Sequence, residues 1–259
     1  MNLIEAIILG LIQGLTEFLP VSSSGHLEIG KALFGIDASE NFYFSLAVHG
    51  ATVASTLVVF RKEILHLLKG TLAFRMNEET IYVSKLLLSM IPAGIAGLLL
   101  RDEIVGLFDG NMKVVGSMLL VTALLLAIGH FARQRERKIG WKDSVIIGIA
   151  QAFALIPGIS RSGATIATGM MMGNRRDELA KFSFLMVLLP VIGANMLELV
   201  SGEVTIAETG TGVIIAGSIT AFVAGYLACR WMISLVRKSR LIWFAAYCTV
   251  VGLLTLLLG

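Results

Sequence analysis

Charge is scarce in this chain. Only 15% of its 259 residues are Asp, Glu, Lys or Arg against 56% hydrophobic, and the mean hydropathy is +0.84. The water-facing surface of a soluble domain cannot be assembled from that composition, so an integral membrane protein is implied. Cysteine is nearly absent: Cys229 and Cys248 lie in apolar runs with no second-ligand spacing. That argues against a zinc site or a disulfide framework and leaves both as packing residues. Alternating segments of about ten residues, the mark of an outer-membrane barrel, are missing too. The N-terminus has no basic n-region and no small-residue cleavage site, and Glu5, Gln13 and Glu17 interrupt its apolar stretch, so a mature N-terminus is expected rather than a signal peptide. The net charge of +3 comes from basic residues set in short gaps between apolar runs, not gathered in a patch, so no nucleic-acid partner is expected.

What is plentiful is glycine, 27 residues, which suits closely packed membrane helices. Six runs are long and apolar enough to cross about 30 Å of hydrocarbon: residues 42 to 60, 85 to 100, 112 to 131, 181 to 200, 211 to 229 and 241 to 258. Seventeen of the 21 Lys and Arg residues fall in alternate gaps, from Arg61 to Lys85, Arg133 to Lys142, Arg175 to Lys181 and Arg230 to Arg240. The other gaps collect Glu28, Asp37, Glu40, Asp102, Glu103, Asp109, Glu203 and Glu208. By the positive-inside rule the first set is cytoplasmic.

That sidedness makes the chain enter and leave residues 144 to 174 on one side. Two pieces near 144 to 156 and 163 to 173 are too short to cross at about 1.5 Å per residue. They read as a re-entrant helical hairpin with its tip at Pro157-Gly158-Ile159-Ser160-Arg161-Ser162-Gly163. Residues 2 to 36 read as a second hairpin from the outer face with its tip at Pro20 to Gly25, although the first limb is long enough for a full crossing. A shift of 138 positions lays Gln13 on Gln151, Ser22 on Ser160, Ser24 on Ser162 and Gly25 on Gly163. The expected fold is therefore all-α and integral to the membrane, one domain over residues 1 to 259. Six transmembrane helices and two re-entrant hairpins would form inverted-topology repeats, approximately 1 to 131 and 139 to 259. Repeats of that kind place a polar site near the midplane, where the broken helices meet.

An ionised carboxylate near the bilayer centre costs roughly 2.5 to 3.5 kcal/mol on insertion scales, so Glu17 needs a partner or a role. It shares a helix face with Gln13, while Gly10 and Gly14 offer a small-residue face to another helix. The plainer reading is a Glu that snorkels to the interface, as Glu5 does near the helix end. Pro20 breaks the limb. Ser22, Ser23 and Ser24 at the next helix start would point hydroxyls and amides at one spot, an anion site. The second tip adds Arg161, whose guanidinium suits phosphate, between Ser160 and Ser162, with Thr165 one turn on. Alone, such a tip has a plainer reading as a charged interfacial loop, and His26 reads equally as a helix-capping or structural histidine. Beside Glu17 and three serines, His26 is a candidate base or nucleophile.

Gln13-Gly-Leu-Thr-Glu17-Phe-Leu-Pro20-Val-Ser-Ser-Ser-Gly25-His26 and Pro157-Gly-Ile-Ser160-Arg161-Ser162-Gly-Ala-Thr165 resemble the two signature motifs of the bacitracin-resistance type undecaprenyl-diphosphate phosphatases. Lys181 to Pro190, continuing to Gly193-Ala194, resembles that family's segment after the second motif, and the likeness runs from the first helix to the last. It implies hydrolysis of a polyprenyl diphosphate lipid to the monophosphate and inorganic phosphate, with a divalent cation, Mg²⁺ or Ca²⁺. The setting it implies is the inner, cytoplasmic membrane, amid membrane lipids, with the site opening to the outer face. Carried over by position, the essential residues fall on Glu17, Ser23, His26 and Arg161, with Gln13 where the family accepts Glu or Gln. One position departs from the pattern: His49, followed by Gly50-Ala51-Thr52, stands where many relatives carry Gln.

Residue chemistry agrees, because phosphoryl transfer needs charge neutralisation and an in-line nucleophile. Arg161 and the tip groups of Ser22, Ser24, Ser160, Ser162 and Thr165 would hold the diphosphate, and Glu17 with Gln13 would hold the cation. His26 would activate either Ser23 or a water. No residue identifies the groove for the isoprenoid tail, and a homodimer is compatible with the sequence. The competing reading is a secondary transporter or lipid flippase with a midplane phosphate site, which would want Arg161 and the serines but has no need of Glu17 with His26.

Overall fold

The computed structural model describes residues 1–36, 42–107, 110–133, 135–200, 210–237 and 241–259. The acidic positions Asp37, Glu40, Asp109, Glu203 and Glu208 of the sequence reading lie outside them, as do Lys238 and Arg240. Among the described residues the architecture is helical throughout and has no strand: α1 (Leu3–Phe18), α2 (Ser23–Phe34), α3 (Phe42–Val59), α4 (Arg61–Thr71), α5 (Glu78–Leu99), α6 (Arg101–Gly106), α7 (Met112–Phe131), α8 (Trp141–Phe153), α9 (Arg161–Met171), α10 (Arg176–Leu185), α11 (Leu188–Val200), α12 (Thr211–Arg237) and α13 (Leu241–Leu258).

Local chemistry accounts for the boundaries. Asn2 and Glu5 form a reciprocal cap on α1, so Glu5 serves the helix start. Pro20 has no amide to continue that helix, and Ser22 caps α2 by accepting the Gly25 N–H at 3.3 Å. Gly35 ends α2 at φ 64°, a left-handed conformation that favours glycine. In the second hairpin Gly158 turns the chain at φ 95°, and Ser160 caps α9 by accepting the Gly163 N–H at 3.1 Å. Both tips fall where the sequence places them.

Four helices, α5, α7, α12 and α13, are long and apolar enough to cross a membrane, and α3 with α4 makes a fifth candidate, bent by 72°. Their outward faces bare side chains such as Ile91, Ile95, Leu124, Ile128, Ile219, Val223, Val250 and Leu254. Such a surface needs lipid as solvent. Two expectations change. The run at 181 to 200 is not one helix: it divides between α10 and α11 at Met186 and Val187. Pro190 lies in the first turn of α11, where its missing amide leaves no intrahelical bond unmade. The basic gap after residue 60 is helical as well, forming α4.

Glycines set the close crossings. A side chain at Gly10 would strike the Gly217 carbonyl, and one at Gly14 would meet Ala221 and Ala224, so α1 lies directly on α12. Gly148 faces the Ser89 carbonyl in the same manner, laying α8 on α5, and Gly116 meets Gly252 where α7 crosses α13. Each hairpin thus packs its first limb on a long helix from the other half of the chain. The hairpin tips also meet: Ser162 Oγ donates to the Leu19 carbonyl at 3.2 Å, and the Gly25 Cβ position lies 3.1 Å from Gly158 Cα. Thr122 of α7 pins the second tip, donating to the Gly158 carbonyl at 3.0 Å and accepting the Ser160 N–H at 2.9 Å.

Candidate active site

Glu17 sits one residue before the end of α1, at the depth where the two tips touch. Its carboxylate is nearly enclosed, and every hydrogen bond it receives comes from a residue that the sequence singles out. Ser23 donates to Oε2 at 2.6 Å from the first tip, Arg161 Nη2 donates to Oε1 at 2.8 Å from the second, and Gln13 Nε2 donates to Oε2 at 3.0 Å from one turn earlier. Ser23 and Arg161 are the positions that the 138-residue shift superposes, so the two hairpins offer a hydroxyl and a guanidinium to one carboxylate. Arg161 is steadied by its Nη1, which donates to the Ser183 carbonyl at 3.0 Å. The ion pair is held by both hairpins, with both side chains 14% exposed. Breaking one partner of such a pair costs about 3 to 5 kcal/mol, since a buried charge is left alone.

The remaining tip groups divide. Ser22, at φ 71°, and Ser160 are occupied as helix caps, and their hydroxyls also lie 3.3 and 3.4 Å from those of Ser24 and Ser162. Non-glycine residues in that left-handed region cost of order 1 to 3 kcal/mol and cluster at functional sites. Thr165 points away from the tip, donating to the Arg161 carbonyl at 2.8 Å and lying 2.7 Å from Ser183 Oγ. It supports Arg161 from behind. His26 is not within reach of Glu17: its Nδ1 bonds the Ser22 carbonyl at 2.8 Å and its Nε2 lies 2.8 Å from Tyr247 Oη, the two rings stacked at 5.5 Å. A carbonyl only accepts, so Nδ1 carries the proton, and in the neutral ring Nε2 takes the tyrosine O–H.

His49 belongs to the site. Its Nδ1 is likewise tied to a carbonyl, that of Ser45 at 2.8 Å, which turns Nε2 toward Glu17 Oε2 at 4.0 Å. Glu17, His49, Thr52 and Arg161 face one cleft, whose other walls include Phe184, Val187 and Val191 of α10, the break and α11. Polar groups at the base and apolar walls beside them suit a ligand with a charged head and a hydrocarbon tail. The rule that flags Glu17, an ionisable residue inside an apolar span, also applies to His49. Tyr247 carries no such signal, being an ordinary aromatic in the apolar α13.

Residues 6–254 match the profile of the family described as bacitracin resistance protein BacA. The chain belongs to this family. Among curated relatives, the undecaprenyl-diphosphatase of Bacteroides fragilis is 51% identical over 263 residues, covering 100% of this chain and 99% of the relative. That of Bacteroides thetaiotaomicron is 51% identical, covering 98% and 97%, and that of Methanosphaera stadtmanae is 35% identical, covering 100% and 99%. This BacA-family chain is a multi-pass membrane protein, as its helices and family membership together require.

The donor set bears on a metal. Among the described residues no three His, Cys, Asp or Glu side chains converge on one point. The side chains do fit a hard cation that takes most of its ligands from phosphate and water, as magnesium does. Beside the Glu17 carboxylate, Gln13 is fully buried and its Oε1 has no hydrogen-bond partner. An enclosed amide oxygen left unpaired calls for a donor or a cation.

Proposed function

We propose that this chain hydrolyses undecaprenyl diphosphate to undecaprenyl phosphate and inorganic phosphate, recycling the lipid carrier for cell-wall synthesis. The observation that carries the reading is the convergence of Ser23 and Arg161, from opposite hairpin tips, on Glu17. A nucleophile at 2.6 Å from its base, with a guanidinium on the other oxygen of that carboxylate, is an arrangement that suits phosphoryl transfer.

In this mechanism Arg161 holds the terminal phosphate against Ser23. Ser23 Oγ attacks the terminal phosphorus while its proton passes to Glu17, and the bridging P–O bond breaks to release the lipid monophosphate. Water then attacks the phosphoserine, passing a proton to Tyr247 Oη as the tyrosine O–H moves to His26 Nε2, and the imidazolium then releases that proton to solvent. Glu17 returns its proton to Ser23 Oγ, and phosphate leaves. Tyr247 holds the His26 ring in place. Glu17 and Gln13 would hold the divalent cation, Mg²⁺ or Ca²⁺, which supplies positive charge to the diphosphate oxygens when bound. A transporter would have no use for the Ser23 to Glu17 hydrogen bond, and the named relatives are phosphatases.

The topology we infer is six crossings and two re-entrant hairpins in inverted repeats. It is supported by the 138-residue offset that relates the starts of α1 and α8 and of α2 and α9. The matching crossings of Gly10 and Gly148 and the paired caps of Ser22 and Ser160 support it as well. The alternating charge of the loops supports a cytoplasmic-membrane setting with the cleft open to the outer side. A homodimer is compatible with this arrangement.

Phosphate release from undecaprenyl diphosphate by purified protein in detergent tests the reading. Release is expected, lost on chelation and restored by Mg²⁺ or Ca²⁺. A folded protein that releases none would refute the hydrolase, and release unaffected by chelation would remove the cation.

A further inference from the structure

A second, separate anion site stands at the corner where α3 gives way to α4. Val58 and Val59 end α3, Arg61 and Lys62 begin α4, and with Tyr226 and Arg230 of α12 they line an open cavity of about 290 Å³. Three cations and a phenol line it, and no carboxylate does. Glu63, the acidic side chain beside them, is bonded elsewhere, to Lys181 at 3.0 Å. Among the described residues no carboxylate lies within ion-pairing distance of Arg61, Lys62 or Arg230. Arg230 is oriented for a ligand: its guanidinium lies over the Tyr226 ring at 5.6 Å and donates Nη1 to Tyr226 Oη at 3.2 Å, leaving its other N–H groups open.

The depth of the cavity follows from the bend. α4 leaves α3 at 72° and bares Leu65, Leu68 and Leu72 alongside Lys62 and Lys69, the pattern of a helix lying in the membrane interface. The corner therefore falls at head-group level, with Val58 and the outer face of α3 as a wall for an acyl chain. Thr52, which lines the diphosphate cleft, is nine residues before Arg61, about 13 Å along the helix. A phosphate at the corner does not share the Glu17 cleft.

We propose that this corner binds the phosphate head group of an anionic membrane lipid. Basic pockets between membrane helices recognise phosphate head groups in this way. The test uses the whole purified protein in neutral detergent micelles, with thermal stability followed as phosphatidylglycerol, phosphatidylcholine or inorganic phosphate is added. Phosphatidylglycerol should raise the Tm of the wild type and phosphatidylcholine should not, while any shift from inorganic phosphate, a product that the Glu17 cleft also takes, should persist in the corner variant. Neutralising the corner, Arg61→Gln, Lys62→Gln and Arg230→Gln together, should weaken half-saturation on the order of a hundredfold, at roughly fivefold per cation. Neutralising Lys69, Arg75 and Arg133 instead removes the same charge but should change it by no more than a few fold. Hydrolysis in lipid-free micelles should match wild type for both. If the triple variant folds poorly, Lys62→Gln alone should still show the fivefold loss. Equal losses from both charge sets, or an unaltered lipid response in the corner variant, would overturn the site. Stabilisation by inorganic phosphate to the same extent, and lost in the corner variant, would overturn the lipid assignment.

Discussion

Glu17 gathers the site's chemistry, and most of its neighbours are legible in the sequence because each breaks a local rule. Gln13, Glu17 and Arg161 are polar where the chain should be apolar, and the serines follow a proline that has just ended a helix. Their contacts are not legible: nothing in the spacing says that Ser23 meets Glu17 while His26 turns to Tyr247. The His26 to Tyr247 bond joins residues 221 positions apart and depends on how α13 packs. Tyr247→Phe keeps the ring stack and removes the hydroxyl held at 2.8 Å from Nε2. A hydrogen bond of this kind contributes about 1 kcal/mol, so kcat should fall roughly five- to tenfold with KM little changed. In a His26→Ala background the same substitution should do almost nothing further. An undiminished effect there would show that Tyr247 does not act through His26.

At the scale of elements, periodicity and punctuation specify the hairpins well. Pro20, Gly35, Gly158 and the capping serines mark their ends. The run at 181 to 200 misleads, because hydropathy measures length and apolarity and cannot see a break between α10 and α11, just beyond which Pro190 sits in the new first turn. α4 is missed for the opposite reason, since its charges resemble a loop until the apolar stripe is laid on a helix. Partner choice is also invisible: Gly10 and Gly14 announce a close crossing, but only the structure supplies α12 as the partner. Gly10→Leu should therefore force α1 from α12, with a cost of about 1 to 3 kcal/mol as in other overpacked interfaces. Thermal unfolding in detergent reads it directly. Gly94→Leu, at a helical glycine with open space around it, is the control and should leave the Tm nearly unchanged. Equal shifts from the two would show that the α1 to α12 contact is not tight.

At the scale of the whole molecule, the alternation of basic and acidic gaps in the sequence is the basis of the orientation proposed above. Cysteine labelling in intact cells should find residues 133 to 142 and 230 to 240 protected from an impermeant reagent, and residues 102 to 111 and 203 to 210 accessible. The reverse pattern for 133 to 142 would undo both the sidedness and the inverted repeat. Pairing two hairpins from the two halves of the chain makes the site a property of the entire fold. Each hairpin alone supplies only part of the set: a carboxylate with a serine on one tip, a guanidinium on the other. The central claim is that they act as one unit, and a double-mutant cycle on phosphate release tests it most directly. Glu17→Gln and Arg161→Gln should each lower kcat by orders of magnitude, and the double variant should be scarcely worse than either single one. Losses that simply multiply, in variants shown to be folded, would mean that the two tips contribute independently, and the shared site would be wrong.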